Sequence, residues 1–154
     1  MYSIDDKVTI KFRKFRPEAK VPERKTDLAA GWDLFAAEGD LVLPGGYTII
    51  PTGLNVDIPP GWELQIRSRS GLAAKKGIFV LNSPGTIDSD YSGNGPDFEI
   101  KVILHNTSNK AVSIIAGDRV AQAVLAPVYD LRWEEVSEIV SKDSNRVGGL
   151  GSTG

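Results

Sequence analysis

The chain of 154 residues has no cysteine, one histidine and one methionine. Without thiols it has neither a disulfide framework nor a thiolate metal site, and redox chemistry says nothing of its compartment. The single histidine, His105, sits in a strand-like run ending at Asn106 and supports neither a Ser–His–Asp triad nor a His-rich zinc site. Long apolar runs are missing too, so no segment is read as crossing a bilayer. The opening MYSIDDKVTIKFRKF lacks the apolar stretch of a secretory signal. A cytoplasmic protein without membrane contact is the expectation. Nor is there an excess of one charge: 18 Lys and Arg face 20 Asp and Glu, a net charge of −2. That balance argues against direct nucleic-acid binding. It leaves room for a small anionic ligand, for which a few Arg side chains and backbone N–H groups suffice.

What the chain does have is hydrophobic material, 41% of its residues, enough to core one domain. Sixteen glycines and nine prolines interrupt it at short intervals and disfavour long helices. Between them run short alternating segments: Val8–Phe12, Leu54–Ile58, Glu63–Arg67 and Ile100–Leu104. Turn signals such as Pro44-Gly45-Gly46 and Pro59-Pro60-Gly61 separate them. Many short strands with no βαβ rhythm predict an all-β antiparallel sandwich, jelly roll or barrel. Only Ser70–Lys76 reads as a helical turn or two. The predicted β domain covers residues 1–140. Residues 141–154 form a Gly-rich C-terminal arm, either frayed or able to order over an anion.

Three constellations carry possible chemistry. Gly85-Thr86-Ile87-Asp88-Ser89-Asp90-Tyr91-Ser92-Gly93 follows Asn82 and Pro84. In an extended conformation Asp88 and Asp90 share a face and Tyr91 points the other way. A carboxylate there can orient and deprotonate a water, but an ordinary Asp-rich turn fits the same residues. Arg67-Ser68-Arg69-Ser70-Gly71-Leu72-Ala73 follows a strand and opens the helical turn, where free N–H groups and a positive dipole end suit phosphate. A capped helix start with a solvated arginine pair fits equally. Gly117–Gln122 offers a turn and then a strand carrying Arg119 and Gln122, with Asp118 and Arg119 also readable as an ion pair.

In this order and spacing the segments resemble the trimeric dUTP pyrophosphatases (dUTPases), a family with five short motifs. Ala30–Leu34 resembles the first, with Trp32 where Tyr is usual. Arg69–Ala73 matches the second, Gly85–Gly93 the third, Gly117–Gln122 the fourth and Gly148–Gly154 the fifth. The resemblance implies a distorted jelly-roll (β-clip) subunit with one short helix, in a homotrimer whose active sites are shared between subunits. It implies hydrolysis of dUTP to dUMP and pyrophosphate, assisted by Mg²⁺, which limits uracil incorporation into DNA and supplies dUMP for dTMP synthesis. Asp88 would hold the water that attacks the α-phosphorus. Asn82 and the backbone of Gly85, Thr86 and Ile87 would read uracil, with Tyr91 packing on the deoxyribose. Arg69, Ser70, Gly71 and Gln122 would contact the triphosphate, and Asp33 would sit near waters of the Mg²⁺. The arm, with Arg146, Leu150, Gly151 and Ser152, would close over another subunit's site.

Three features depart from the family pattern. Leu150 stands where an aromatic normally covers the uracil, and it lacks a π face. Arg146 lies two residues before Gly148, where three is usual. Asn94–Phe98 intervenes between the third motif and the next strand, an insertion of about five residues at a turn. The competing expectations are a dCTP deaminase-like enzyme, which shares the jelly-roll trimer but uses a Glu base, and a non-catalytic nucleotide-binding relative.

Overall fold

The structure, a computed structural model of the chain, describes residues 7–150. Among them lie eleven strands, one α-helix and one 3-10 turn, so the all-β expectation with a single short helix holds. Strand β1 (Lys11–Lys14) pairs with β5 (Leu54–Asp57), and β3 (Asp40–Val42) pairs with β10 (Val112–Ile114). Strands β4 (Tyr47–Pro51) and β7 (Ile78–Val80) flank β9 (Lys101–Asn106). The fourth sheet runs β2 (Trp32–Phe35), β11 (Arg119–Pro127), β6 (Trp62–Arg67), β8 (Gly85–Ile87). Every pairing is antiparallel.

The sequence periodicity explains the core. Along β9 the even positions Val102, Leu104 and Asn106 are buried while Lys101 is exposed. Val102 and Leu104 therefore face inward together with Ile50 of β4 and Val80 of β7. Leu34, Ile66 and Ala121 of the four-stranded sheet join the same cluster. The two larger sheets thus share one core, in the manner of a sandwich.

Two boundaries differ from the sequence reading. The first ladder sits at Lys11–Lys14, not Val8–Phe12, and all four of its residues are exposed. Its register is set by pairing with β5, Lys11 opposite Asp57, and not by an inward apolar face. At the other end, β11 stops at Pro127, and Val128 donates its N–H to the Gly61 carbonyl (2.8 Å). Residues 129–150 contain no strand or helix and are exposed throughout. No helix among the described residues is long and apolar enough to cross a membrane.

Candidate active site

The four-stranded sheet places the two halves of the candidate site. At one edge, β8 lies against β6 with Ile87 opposite Leu64 and Gly85 opposite Ile66. An edge strand leaves its outer N–H and C=O groups free to meet another planar group. Asn82 stands in the turn leading into β8, exposed, with its amide nitrogen close over Gly85. Thr86 is exposed and Ile87 half-buried.

The chain turns immediately after Ile87, the Asp88 carbonyl accepting the Tyr91 N–H (3.1 Å). The extended alternation expected for Asp88 and Asp90 therefore ends at Asp88. Both carboxylates, with Ser89, line an open cavity of about 280 Å³ closed by Gly61, Trp62, Glu63 and Val128. Tyr91 is half-buried. Its hydroxyl is shared between the carbonyls of Glu99 (3.0 Å) and Asp97 (3.2 Å), and its ring meets Phe98 at 5.8 Å. Burial first, then the charges of Glu99 and Asp97, raise the Tyr91 phenol above its ordinary value of 10.0.

The second half lies around the start of the helix α1 (Ser70–Lys76). A cavity of about 420 Å³ is lined by Asp33, Arg67, Arg69, Ser70, Gly71 and Gln122, with Lys25 and Ala29–Gly31 on its rim. Three cations face one carboxylate, so the cavity favours an anion. The first turn of α1 lacks a side-chain cap, and its leading N–H groups have no intrahelical partner.

The carboxylate of Asp33 is nearly buried, and a buried charge needs a partner. Arg69 Nε donates to Oδ1 at 2.9 Å, and Arg119 Nη1 stands 3.6 Å from Oδ2. The Asp118–Arg119 ion pair that the sequence allows is replaced by this arrangement. Asp118 instead accepts the Ile115 N–H (2.9 Å). Oδ2 of Asp33 accepts no hydrogen bond. Gln122 Nε2 donates to the Ser68 carbonyl (3.0 Å). Gly31 makes that position possible, since a Cβ there would fall 2.0 Å from Gln122 Oε1.

Within one chain Asp88 and Arg69 are far apart, although Gly85 lies opposite Ile66, next to Arg67 of the second cavity. Asp88 follows the residue opposite Leu64, and Arg69 lies beyond the other end of β6. At about 3.3 Å per residue the separation along the strand is on the order of 15 Å. The structure gathers Asp33, Arg69, Ser70, Gly71 and Gln122 around one cavity and places Asp88 on the other, with Gly85–Ile87 leading to it along β8; Asn82 and Tyr91 line neither. It brings neither group to Arg146 or Leu150. Those two stand on the exposed tail, where Arg146, among the described residues, bonds only to Asp143 and Gly148. Gly151 and Ser152 lie outside the described residues.

The sequence gives no sign of one cation of the second cavity, Lys25, and names Arg67 only as part of the run that opens the helix, without a site role. On the strand end two residues before Arg69, Arg67 faces Gln122 across the ladder. Lys25 carried no signal, because it sits on an irregular segment. His105 is packed, its ring 5.3 Å from Phe79 with Nδ1 buried and unbonded.

The chain is similar to known proteins over most of its length. A family model described as dUTPase matches residues 17–154. A deoxyuridine 5'-triphosphate nucleotidohydrolase of Nautilia profundicola is 50% identical over 145 residues, covering 94% of this chain and 98% of the relative. The dUTPase of Staphylococcus bacteriophage 80alpha, solved with dUpNHpp, superposes with a TM-score of 0.82 at 24% identity, covering 95% of this chain and 98% of that one. A dUTPase from phage phi11 of S. aureus, with a structural Mg(II) ion, superposes at 0.74 and 25% identity over 84% of this chain and 97% of that one.

Proposed function

The chain belongs to the dUTPase family, and from that premise we propose that it hydrolyses dUTP to dUMP and pyrophosphate, with Asp88 as the group that activates water. One observation carries the assignment of the base. Of the carboxylates in the matched motifs, Asp33 is held by Arg69 and Arg119, and Asp118 by the Ile115 N–H. Asp88 and Asp90 both line the open cavity, and only Asp88 directly follows β8, Asp90 lying inside the turn. Asp88 forms no ion pair among the described residues and is fixed at the end of β8 facing an open cavity.

The chemistry then follows from the residues. The free edge of β8 from Gly85 to Ile87, with the Asn82 amide, offers backbone and side-chain donors and acceptors to uracil. A close backbone refuses thymine by collision with its methyl, since attraction alone discriminates such a group by only about 1–3 kcal/mol. Tyr91 packs on the deoxyribose, where a ribose 2′-hydroxyl would meet its ring. Asp88 orients a water and takes its proton as the oxygen bonds to the α-phosphorus. The bond from that phosphorus to the bridging oxygen breaks, and pyrophosphate leaves. Arg69, Ser70, Gly71 and Gln122 hold the phosphates and offset their charge.

Mg²⁺ fits this arrangement without a protein cage, since it retains waters and takes phosphate oxygens. Among the described residues no cluster of three metal-ligating side chains exists. Asp33, whose Oδ2 has an unused acceptor, is the carboxylate lining the phosphate cavity and would hold the ion's water. When bound, the ion supplies charge neutralisation to the triphosphate.

The spacing of the two halves supports an assembly in which the hairpin of one chain faces the phosphate cavity of another, as in a homotrimer. The tail supports it too: Tyr129, Leu131, Trp133, Ile139 and Val140 are each at least 75% exposed, an apolar stretch uncovered by the described residues. In such an assembly the arm, with Arg146, Leu150, Gly151 and Ser152, closes over a neighbour's site. A cytoplasmic setting accords with this nucleotide chemistry.

The deciding experiment is pyrophosphate release from dUTP, dTTP, dCTP and UTP, with and without Mg²⁺, for the parent and for Asp88→Asn. We expect turnover of dUTP alone, dependent on Mg²⁺. The variant should bind dUTP but lose about two to four orders of magnitude in kcat. Ammonia from dCTP would establish a deaminase. Binding of dUTP without pyrophosphate release would leave only a nucleotide-binding protein, and unchanged turnover in Asp88→Asn would remove Asp88 as the base.

A further inference from the structure

The insertion Asn94–Phe98 is pinned at both ends. At its start, the Asn55 side chain forms a two-bond ring with Gly95: Nδ2 donates to the Gly95 carbonyl (2.9 Å) and Oδ1 accepts the Gly95 N–H (2.9 Å). Asn55 is itself buried in β5, so the anchor belongs to the core and not to the loop. At its end, Glu99 is fully buried, bound by Arg16 through Nε (2.7 Å) and Nη2 (3.1 Å), and accepts the Gly53 N–H (3.0 Å). Between these anchors the chain makes a 3-10 turn, Pro96–Phe98.

Between its anchors the segment packs against Tyr91. Two carbonyls of this segment, those of Asp97 and Glu99, take the Tyr91 hydroxyl, and Phe98 contacts its ring. Phe98 also lies over Gly93, where a Cβ would fall 2.4 Å from its ring carbon Cδ2. A tyrosine tied at both the hydroxyl and the ring has little rotamer freedom left. A gate that excludes one oxygen atom needs such stiffness, because a ring free to tilt would admit the larger sugar.

We propose that the insertion is a positioning device for Tyr91, with Phe98 as the buttress and Asn55 as the clamp that holds the loop in place, and that it sets the discrimination between deoxyribose and ribose. This rests on Tyr91 being the sugar gate. Neither Phe98 nor Asn55 touches substrate; both act through Tyr91. The role predicts a loss of selectivity that a merely structural loop would not produce.

The experiment compares kcat/KM for dUTP and UTP in the parent, Tyr91→Ala, Phe98→Ala, Phe98→Tyr and Asn55→Ala. The dUTP-to-UTP ratio should fall about tenfold in Phe98→Ala and Asn55→Ala, mainly through gained UTP turnover. Phe98→Tyr, which keeps an aromatic buttress, should retain the parent ratio. If Tyr91→Ala loses selectivity while Phe98→Ala and Asn55→Ala keep it, the insertion has no positioning role and the proposal fails, though the gate stands. If Tyr91→Ala itself keeps the ratio, the gate reading fails and takes the proposal with it. Should Phe98→Ala not fold, Gly93→Ala, which displaces Phe98 without deleting it, carries the same expectation and the same refutation.

Discussion

The Tyr91 hydroxyl works as a donor, so its protonation matters. Burial, followed by the negative charges of Glu99 and Asp97, holds the phenol above its ordinary value of 10.0. The neutral, donating form is thereby favoured in the folded chain. Its contribution to stability is complete below the unfolded value and is lost as pH rises through the higher folded one. An alkaline titration followed by phenolate absorbance, parent minus Tyr91→Phe, should give a curve centred above 10.0. A midpoint at or below that value would mean the hydroxyl is not held as described. The sequence singles out Asp88 and Tyr91 because they are neighbours in one compact run. It does not reveal that Arg69 is bound to Asp33, 36 residues away, or that Glu99 anchors the segment behind Tyr91 from Arg16, 83 residues away. Such pairings are made by the fold, and no local spacing records them.

Elements show the same division. Strands β5 and β6 announce themselves by alternation, and α1 by its good helix formers between Arg69 and Gly77. Three-residue strands such as β3 and β8 are too short to carry a period, and β8 begins with glycine. Yet β8 bears the hairpin on which the nucleoside reading depends, so family resemblance found it where periodicity could not. The contact between β2 and β11 is also invisible in sequence, though it determines where Gln122 points. In Gly31→Ala the new methyl would require the end of the Gln122 side chain to swing aside, because Oε1 lies 2.0 Å from its position. The flexible amide can move, so the fold should survive while the bond to the Ser68 carbonyl is lost. We expect a rise in KM for dUTP of roughly 3- to 10-fold, the worth of one ordinary hydrogen bond. The melting temperature should be nearly unchanged. Steady-state kinetics with an unaltered KM would show that Gln122 does not contact the substrate.

For the whole molecule, the question is whether one chain is enough. Composition draws the arm at residue 141, where glycines and polar residues gather. The last backbone bond tying the tail to the strands, however, is Val128 to Gly61, and the stretch between carries exposed Trp133, Ile139 and Val140. In the proposed assembly a neighbouring copy would cover the apolar tail and complete the site split along β6. The split gives a sharp test. Asp88→Asn disables the hairpin half, and Ser70→Glu places a negative charge in the phosphate cavity, at a helix start where Glu is well tolerated. Each variant alone should be inactive. If sites are built between chains, co-assembly in equal amounts draws each half from an intact chain half of the time. About one site in four should then be whole, and about a quarter of the parent turnover per chain should return. If each site is built within one chain, every site carries one of the two faults, and the mixture stays as inactive as its components.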